Sequence, residues 1–148
     1  SRFSYAFKQP EGSAYPPILQ LNHIEGPVKI DGAGGQIEFT PFEVAHGQIT
    51  ALGFRIGPVA YLPDVSAMPP AAWEALAGID CWILDALRRD PHPSHSHLAQ
   101  SIEWIDQSNV ARAVLTNMHN DLDYATLQVE LPKHILPAFD GMVLSYDL

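Results

Sequence analysis

Residues 42–66 read FEVAHGQITALGFRIGPVAYLPDVS, and this stretch decides how the rest of the chain is interpreted. It contains two short apolar strands, at about 40–45 and 50–62, with Gly53 and Gly57 as bulge or turn points in the second, and each strand ends beside a polar side chain. His46 follows the first strand and Asp64 follows the second. Strand ends that are neighbours in a sheet can converge, and an imidazole beside a carboxylate suits a divalent metal of the zinc type. The stretch predicts such a site, although either residue alone is also compatible with a surface position.

The same arrangement, an apolar strand followed by polar side chains, occurs twice more toward the C-terminus. The run at 79–87 is apolar apart from two aspartates and indicates a strand buried on both faces. It leads into a loop at 88–97, and a further buried strand at 111–115 leads to His119. The loop contains three histidines: His92, His95 and His97. Function often sits on loops that a rigid sheet positions, so we expect these groups to share one metal or catalytic site.

Helix and turn signals complete an α+β fold. Helices are predicted at 70–77, 96–107 and 122–130, and a hairpin is predicted from strands at 28–30 and 36–39. Residues 139–148 are predicted to form a last hairpin or edge strand, and the first 27 residues are expected to be irregular. Ser94 or Ser96 is expected to cap the second helix. Together these elements predict one mixed sheet with helices on one face.

Length and composition limit the possible classes, and 148 residues predict one domain or half-domain spanning 1–148. No apolar run approaches the roughly 20 residues that cross a bilayer. The formal net charge of −9 argues against a broad basic surface for nucleic acid. The one cysteine, Cys81, is predicted to be a buried thiol, which suits a reducing cytoplasm. Because the chain starts at Ser1 without a methionine, we expect a fragment or a processed product.

Six short motifs, in this order and spacing, resemble those of the metallo-β-lactamase-fold hydrolases. They are FEVAHG at 42–47, GFRI at 53–56, YLPD at 61–64, ILDAL with HPSH at 83–95, LTNMHNDLDY at 115–124 and AFDGM at 138–142. The likeness is to the phosphodiesterase branch, which includes the phosphoribosyl cyclic phosphodiesterases and, more distantly, the tRNA 3′-processing ribonucleases. It covers almost the whole chain from about residue 36, and the order of the motifs makes it more specific than any one of them.

The resemblance implies a two-metal site. In that family two divalent ions, zinc or manganese, share a bridging aspartate. By resemblance His46 is a ligand of the first ion, Asp64 is the bridge and His119 is a ligand of the second ion. The family more often places a histidine where this chain has Asn117, and His119 shares that face of the strand only if the strand continues. Asn117 is the alternative contact to a ligand or to metal-bound water.

The resemblance also implies a proton donor. His95 resembles a histidine that helps to protonate the leaving oxygen in the related nucleases, and an imidazole can hold a proton near neutral pH. His92 and His97 are the alternatives for this role. Asp85 is predicted either to hydrogen-bond one of these histidines and fix its tautomer, or to cap the end of its strand.

One signature of the family is absent from the sequence. The run His-x-His-x-Asp-His belongs to the N-terminal half of the fold and does not occur here. The chain therefore resembles the C-terminal half of the αββα sandwich, and it has ligands from each metal site but a full set for neither. We expect it to pack on its missing half or to self-associate.

These observations predict a metal-dependent hydrolase, a phosphodiesterase in which two metal ions activate a water. The expected substrate is a small phosphodiester or nucleotide-like molecule, and the ions would offset the negative charge of the chain at the site. One alternative is a hydrolase of a thioester, lactone or lactam on the same fold, since a fold does not fix its substrate. The other is a non-catalytic fragment that lacks the N-terminal metal ligands.

Overall fold

The fold is built on one seven-stranded sheet, seen in a computed structural model that describes residues 3–147. The strands are β1 Val28–Gly32, β2 Gly35–His46, β3 Ile49–Ile56, β4 Val59–Leu62, β5 Cys81–Asp85, β6 Arg112–Thr116 and β7 Ile135–Pro137. The helices are α1 Pro70–Ala75, α2 Leu98–Ser108 and α3 Tyr124–Glu130, and a 3₁₀ turn lies at Ser4–Ala6. No helix among residues 3–147 is both long and apolar enough to cross a membrane.

The sheet is mixed, and the connections explain why. Tight turns join β1 to β4, so these strands pair antiparallel. Each later connection contains one of the three helices, and β4, β5, β6 and β7 pair parallel. Parallel neighbours point their carboxyl ends to the same edge of the sheet, so the residues that follow β4, β5, β6 and β7 lie along one edge.

One hydrophobic core lies between the sheet and its helices. Strand residues at alternate positions enter it, as expected when successive side chains point to opposite faces. The strands contribute Phe42, Val44, Leu62, Trp82, Leu84 and Leu115, and the helices contribute Ala72, Ile105 and Leu127. Because all three helices pack into this one cluster, they cover one face of the sheet, and the predicted mixed sheet with helices on one face is confirmed.

The opposite face of the sheet has an apolar row of its own. Five side chains lie in register across neighbouring strands: Phe54, Tyr61, Ile83, Val114 and Leu136. The row is unevenly covered, since Tyr61 is 41% exposed whereas Val114 is 2% exposed. Near the start of β5 and β6, Tyr146 hydrogen-bonds Cys81. The packing of this face on a second half or a second copy stays a prediction.

The strand predicted at 50–62 is wrong as a single element. Residues 49–62 form two antiparallel strands, β3 and β4, which reverse direction at Gly57 and Pro58. Gly57 has a φ of 54°, a left-handed value that suits glycine, and its carbonyl accepts a hydrogen bond from Arg55 Nε at 3.0 Å. Gly57 is one of the two glycines predicted as bulge or turn points, but apolar residues continue through the turn, so the pattern of hydrophobicity did not show that the chain reverses fully there.

The last predicted strand is also wrong. Residues 138–147 contain no strand, and Leu148 lies outside the described residues. The turn at 140–141 does form, with Met142 N donating to Phe139 O at 3.0 Å, but it follows the last strand instead of joining two strands. That strand, β7, has only three residues and ends at Pro137, so it is too short to show a periodic pattern.

Gly53 allows close packing between β2 and β3, and its replacement gives a stability prediction. A Cβ at Gly53 would overlap the ring of Phe42 and approach Leu62 Cδ1 to 3.0 Å. Because overpacking of a core costs about 1–3 kcal/mol, we expect Gly53→Ala to lower the free energy of unfolding by that amount in urea denaturation. The matched control is Gly34→Ala, where no atom lies within 4 Å of the new Cβ. Equal stability of the two variants would contradict the packing described here.

Candidate metal and catalytic site

His46 is the last residue of β2, and its ring is held by the loop that follows β5. Its Nδ1 lies 2.7 Å from the carbonyl oxygen of Ser94. A carbonyl can only accept, so Nδ1 carries the proton and Nε2 keeps a free lone pair. A neutral imidazole fixed in this tautomer is the form that binds a metal ion.

Gly47 brings that loop close to β2. It has a φ of 63°, and a Cβ at this position would lie 3.0 Å from Ser94 Cβ. Its backbone N donates to Ser66 Oγ at 2.9 Å, which also ties β2 to the segment after β4. The glycine therefore serves both the turn and the approach of the loop to His46.

Asp64 follows β4 and faces the same point. Its side chain is 46% exposed, and its Oδ1 lies 3.9 Å from Nδ1 of His95. The preceding carbonyl, that of Pro63, accepts a hydrogen bond from Asn117 Nδ2 at 2.7 Å. The loop that presents Asp64 is thus anchored to the end of β6.

Asp85, the last residue of β5, lies buried behind the histidines. Its side chain is fully buried, and Oδ2 accepts a hydrogen bond from Nδ1–H of His95 at 2.7 Å. Burial raises the pKa of Asp85 to about 6, although the hydrogen bond and the charge of His95 act in the opposite direction. The 2.7 Å contact with Asp85 fixes the orientation and tautomer of His95. Nε2 of His95 is left for substrate or an ion.

Two serines that sequence reasoning missed anchor the histidine loop. Ser96 and Ser101 each donate a hydroxyl hydrogen bond to the backbone oxygen of Asp85, both at 2.7 Å. Both serines are fully buried. The predicted helix cap is wrong, because Ser96 bonds to Asp85 and the residue at the cap position of α2 is His97, which makes no side-chain cap. No local signal in the sequence distinguishes this use of serine from a helix cap, where serine is also common.

Together these elements bring three ligand groups to one place. One candidate ligand atom from each of His46, Asp64 and His95 lies within 4.8 Å of one from each of the others. The rings of His46 and His95 are 4.6 Å apart, edge to face. Two imidazoles and a carboxylate are ligands that a zinc-type ion accepts, and three protein ligands leave a position open for water or substrate. The donor set therefore fits one divalent ion.

The other loop histidines lie outside this group. The ring of His92 is 5.3 Å from that of His95, and its Nδ1 accepts a hydrogen bond from Ser94 N at 3.3 Å. Partial burial, with the positive charge of Arg88, lowers the pKa of His92. A histidine that is neutral and already accepting is a poor proton donor, so His92 is less suited than His95 to protonate a leaving oxygen.

His119 does not join the other ligands. Among residues 3–147, the only set of three or more such ligand atoms lying mutually within 4.8 Å is the one described above. The His119 side chain is 64% exposed, and its Nδ1 is 3.5 Å from Asp121 Oδ1. His119 was expected to share a strand face with Asn117 if β6 continued that far. The strand does not continue, because β6 ends at Thr116 and Asn117 has a φ of 59°. This left-handed residue turns the chain, so the alternation of a strand does not reach His119.

An open cleft of about 470 Å³ lies at the ends of β6 and β7, on the same edge of the sheet as the cluster, and we refer to it as the β6–β7 cleft. Its lining residues are Thr116, Asn117, Met118, Ala138, Phe139 and Asp140. Asn117 connects it to the cluster through the hydrogen bond to Pro63 described above. Ligands of open α/β sheets commonly bind at the carboxyl ends of the strands, which is where this cleft lies.

Comparison with known proteins agrees with this architecture. Residues 1–118 match a family model described as a Beta-lactamase superfamily domain. A solved diphosphatase from the PhnP family is similar to the chain with a TM-score of 0.80 and 33% identity, over 88% of this chain and 50% of that one. The metallo-beta-lactamase fold protein YhfI from Bacillus subtilis is similar with a TM-score of 0.62 and 16% identity, over 84% of this chain and 54% of that one. These likenesses confirm the predicted fold.

A relative with a different activity is also similar to the chain. An octanoyltransferase of Porphyromonas gingivalis (strain ATCC BAA-308 / W83) is 30% identical over 146 residues, which are 95% of this chain and 28% of that protein. The chain therefore spans about half the length of the two solved structures and less than a third of the octanoyltransferase.

Proposed function

The chain belongs to the beta-lactamase superfamily, and from that membership we propose that it is the C-terminal half of a metal-dependent phosphodiesterase. One observation above all supports the proposal: His46, Asp64 and His95 converge at the carboxyl edge of the sheet. A buried carboxylate orients His95 from behind, and an open cleft lies beside the group. The likeness to a PhnP-family diphosphatase favours a phosphate ester over other substrates.

Each residue of the cluster has a defined part in this proposal. His46 and Asp64 would hold a divalent ion, zinc or manganese. When bound, such an ion activates a water and polarises phosphoryl oxygens. His95, oriented by Asp85, donates a proton to the leaving oxygen through Nε2, since Nδ1 is already committed to the carboxylate.

The second ion of the proposal needs ligands beyond this cluster. His119 stays a predicted ligand of that ion, and Asn117 stays a predicted substrate contact beside it. The sequence contains no His-x-His-x-Asp-His run, and the chain covers 50% of the PhnP-family diphosphatase. We therefore infer that further ligands come from a longer form of the protein, that this form hydrolyses a small phosphodiester, and that it works in the cytoplasm, where the buried thiol of Cys81 stays reduced.

The difference between the short and long forms gives a direct test. With zinc or manganese added, we expect the 148-residue chain to hydrolyse bis(4-nitrophenyl) phosphate slowly or not at all, and a form extended by a His-x-His-x-Asp-His segment to hydrolyse it readily. The reason is that two or three protein ligands do not hold two ions in a fixed geometry with an open position. Measured turnover of both forms under the same metal loading decides, and robust turnover by the short chain would overturn the half-site proposal.

Acyl chemistry is the second candidate, because the octanoyltransferase is similar to the chain over nearly its whole length. Most of that protein lies outside the match, so its activity need not reside in the matched part. The same two preparations should be assayed on an octanoyl thioester. Hydrolysis of the thioester without hydrolysis of the diester would favour the acyl alternative.

A further inference from the structure

Two aromatic rings stand exposed beside the β6–β7 cleft. Tyr124, the first residue of α3, and Phe139, which follows β7, pack edge to face with ring centroids 5.9 Å apart. Phe139 is 54% exposed and lines the cleft, and Tyr124 is 37% exposed. A phenylalanine that serves only the core would be buried. This pair contributes little to the core and presents a ring face to the cleft.

The fold fixes both rings in place. Asp123 caps α3 by accepting a hydrogen bond from Thr126 N at 2.8 Å, which sets the position of Tyr124. Ala138 N donates to Leu115 O at 2.9 Å, so the chain stays paired to β6 up to the residue before Phe139. These hydrogen bonds fix the backbone positions from which both rings extend, and a preformed backbone lowers the entropy cost of binding.

The cleft lies a short distance along the sheet edge from the cluster of His46, Asp64 and His95. Asn117 forms its wall and bonds to the carbonyl that precedes Asp64. Neighbouring strands are about 4.8 Å apart, so the end of β7 lies about 10 Å along the sheet from the end of β5, where Asp85 holds His95. The cleft begins at β6, one strand from β5, so a sugar and base attached to a phosphate at the cluster can extend into it.

The charge of the lining restricts what the cleft can take. Of the residues that line it, Asp140 alone is ionisable, and it is acidic. A second phosphate would therefore be repelled, whereas a flat heterocycle with N–H donors could stack on Phe139 and hydrogen-bond to the carboxylate.

From this arrangement we propose that the β6–β7 cleft, with Phe139 and Tyr124, is a subsite for the nitrogen heterocycle of a nucleotide-like phosphodiester. The inference rests on the proposed function, because it places the base of a substrate whose phosphate lies at the cluster of His46, Asp64 and His95. Phe139, which lines the cleft, supplies the stacking ring, and Tyr124 packs against that ring.

The kinetic test compares two diesters with the same leaving group in the zinc-loaded long form of the protein. Thymidine 5′-(4-nitrophenyl phosphate) carries a base, and methyl 4-nitrophenyl phosphate does not. Phe139→Ala should lower kcat/KM for the thymidine ester about tenfold or more, mainly through KM, because that is the scale of base–aromatic stacking. It should leave the methyl ester unchanged, and Phe139→Tyr should restore the thymidine ester. Equal losses on both esters would overturn the subsite.

A binding measurement keeps the two proposals separable. Saturation-transfer NMR with thymidine 5′-monophosphate should show saturation of the thymine protons in the wild-type protein and its loss in Phe139→Ala. If the long form hydrolyses neither ester, the proposed function fails, and this measurement alone decides the subsite. Thymine signals that are absent from the wild-type spectrum, or equal in the two proteins, would overturn it.

Discussion

Replacing His95 by alanine should slow turnover of an alkyl phosphodiester by about 10²–10⁴-fold in the long form of the protein, the range for loss of a general acid. The physical reason is that an alkoxide leaves only if it is protonated, and Nε2 of His95 is the nitrogen free to donate. A nitrophenolate leaves without a proton. We therefore expect bis(4-nitrophenyl) phosphate to be hydrolysed by His95→Ala at a rate close to that of the wild-type protein.

Metal content separates the two roles open to His95, because its ring also lies among the candidate ligands. If it is the acid, His95→Ala keeps its zinc and loses only the alkyl substrate. Equal losses on both substrates, with less bound zinc, would mean that His95 is a ligand and that its role as acid is wrong. His97→Ala is the matched control, since that neighbouring histidine lies outside the ligand group and should affect neither substrate.

Replacing Asp64 by alanine should weaken zinc binding by more than about 100-fold, because loss of a residue that merely orients a ligand already costs about 10–100-fold. In the 148-residue chain it would remove the one carboxylate of the group. In the long form the resemblance makes Asp64 the bridge of both ions, so stoichiometry should fall for both. Equilibrium dialysis followed by elemental analysis measures affinity and stoichiometry together.

Asp90→Ala is the control for that measurement. Asp90 is an exposed acid in the loop after β5, and its replacement removes the same charge without touching the group. Zinc binding that is unchanged in Asp64→Ala, or lowered equally in both variants, would remove Asp64 from the site.

The sequence predicted the edge of the sheet at which the site forms, and the reason is general. His46 ends β2, and Asp64 follows β4. Both strands pair antiparallel with β3, so they run in the same direction and end at the same edge of the sheet. An apolar run followed by a polar residue is therefore informative about that edge. The buried pattern of β5 likewise predicted that Asp85 ends a strand near the loop histidines. These predictions need only the pattern of apolar and polar residues along each strand.

What the sequence did not reveal depends on contacts between distant segments. The loop after β5 folds back because Ser96 and Ser101 bond to one backbone oxygen, which no local pattern encodes. The argument that placed His119 by continuing β6 is wrong, because Asn117 takes a left-handed conformation that asparagine adopts only in some contexts. The role of His119 as a ligand stays a prediction. Local sequence patterns therefore located the ends of the strands but did not predict the path of the chain after them.

The order of the strands also bears on how the chain folds in time. Every strand pairs with its neighbour in the chain, from β1 to β7, but the connections differ in length. The tight turns between β1 and β4 cost little closure entropy, whereas each parallel pairing must first close a connection that contains a helix, so we expect the antiparallel strands to pair first. During synthesis each new strand can dock on the edge left by the one before it. The pairing of β7, and with it the closing of the cleft beside Phe139, is then the last step of sheet assembly.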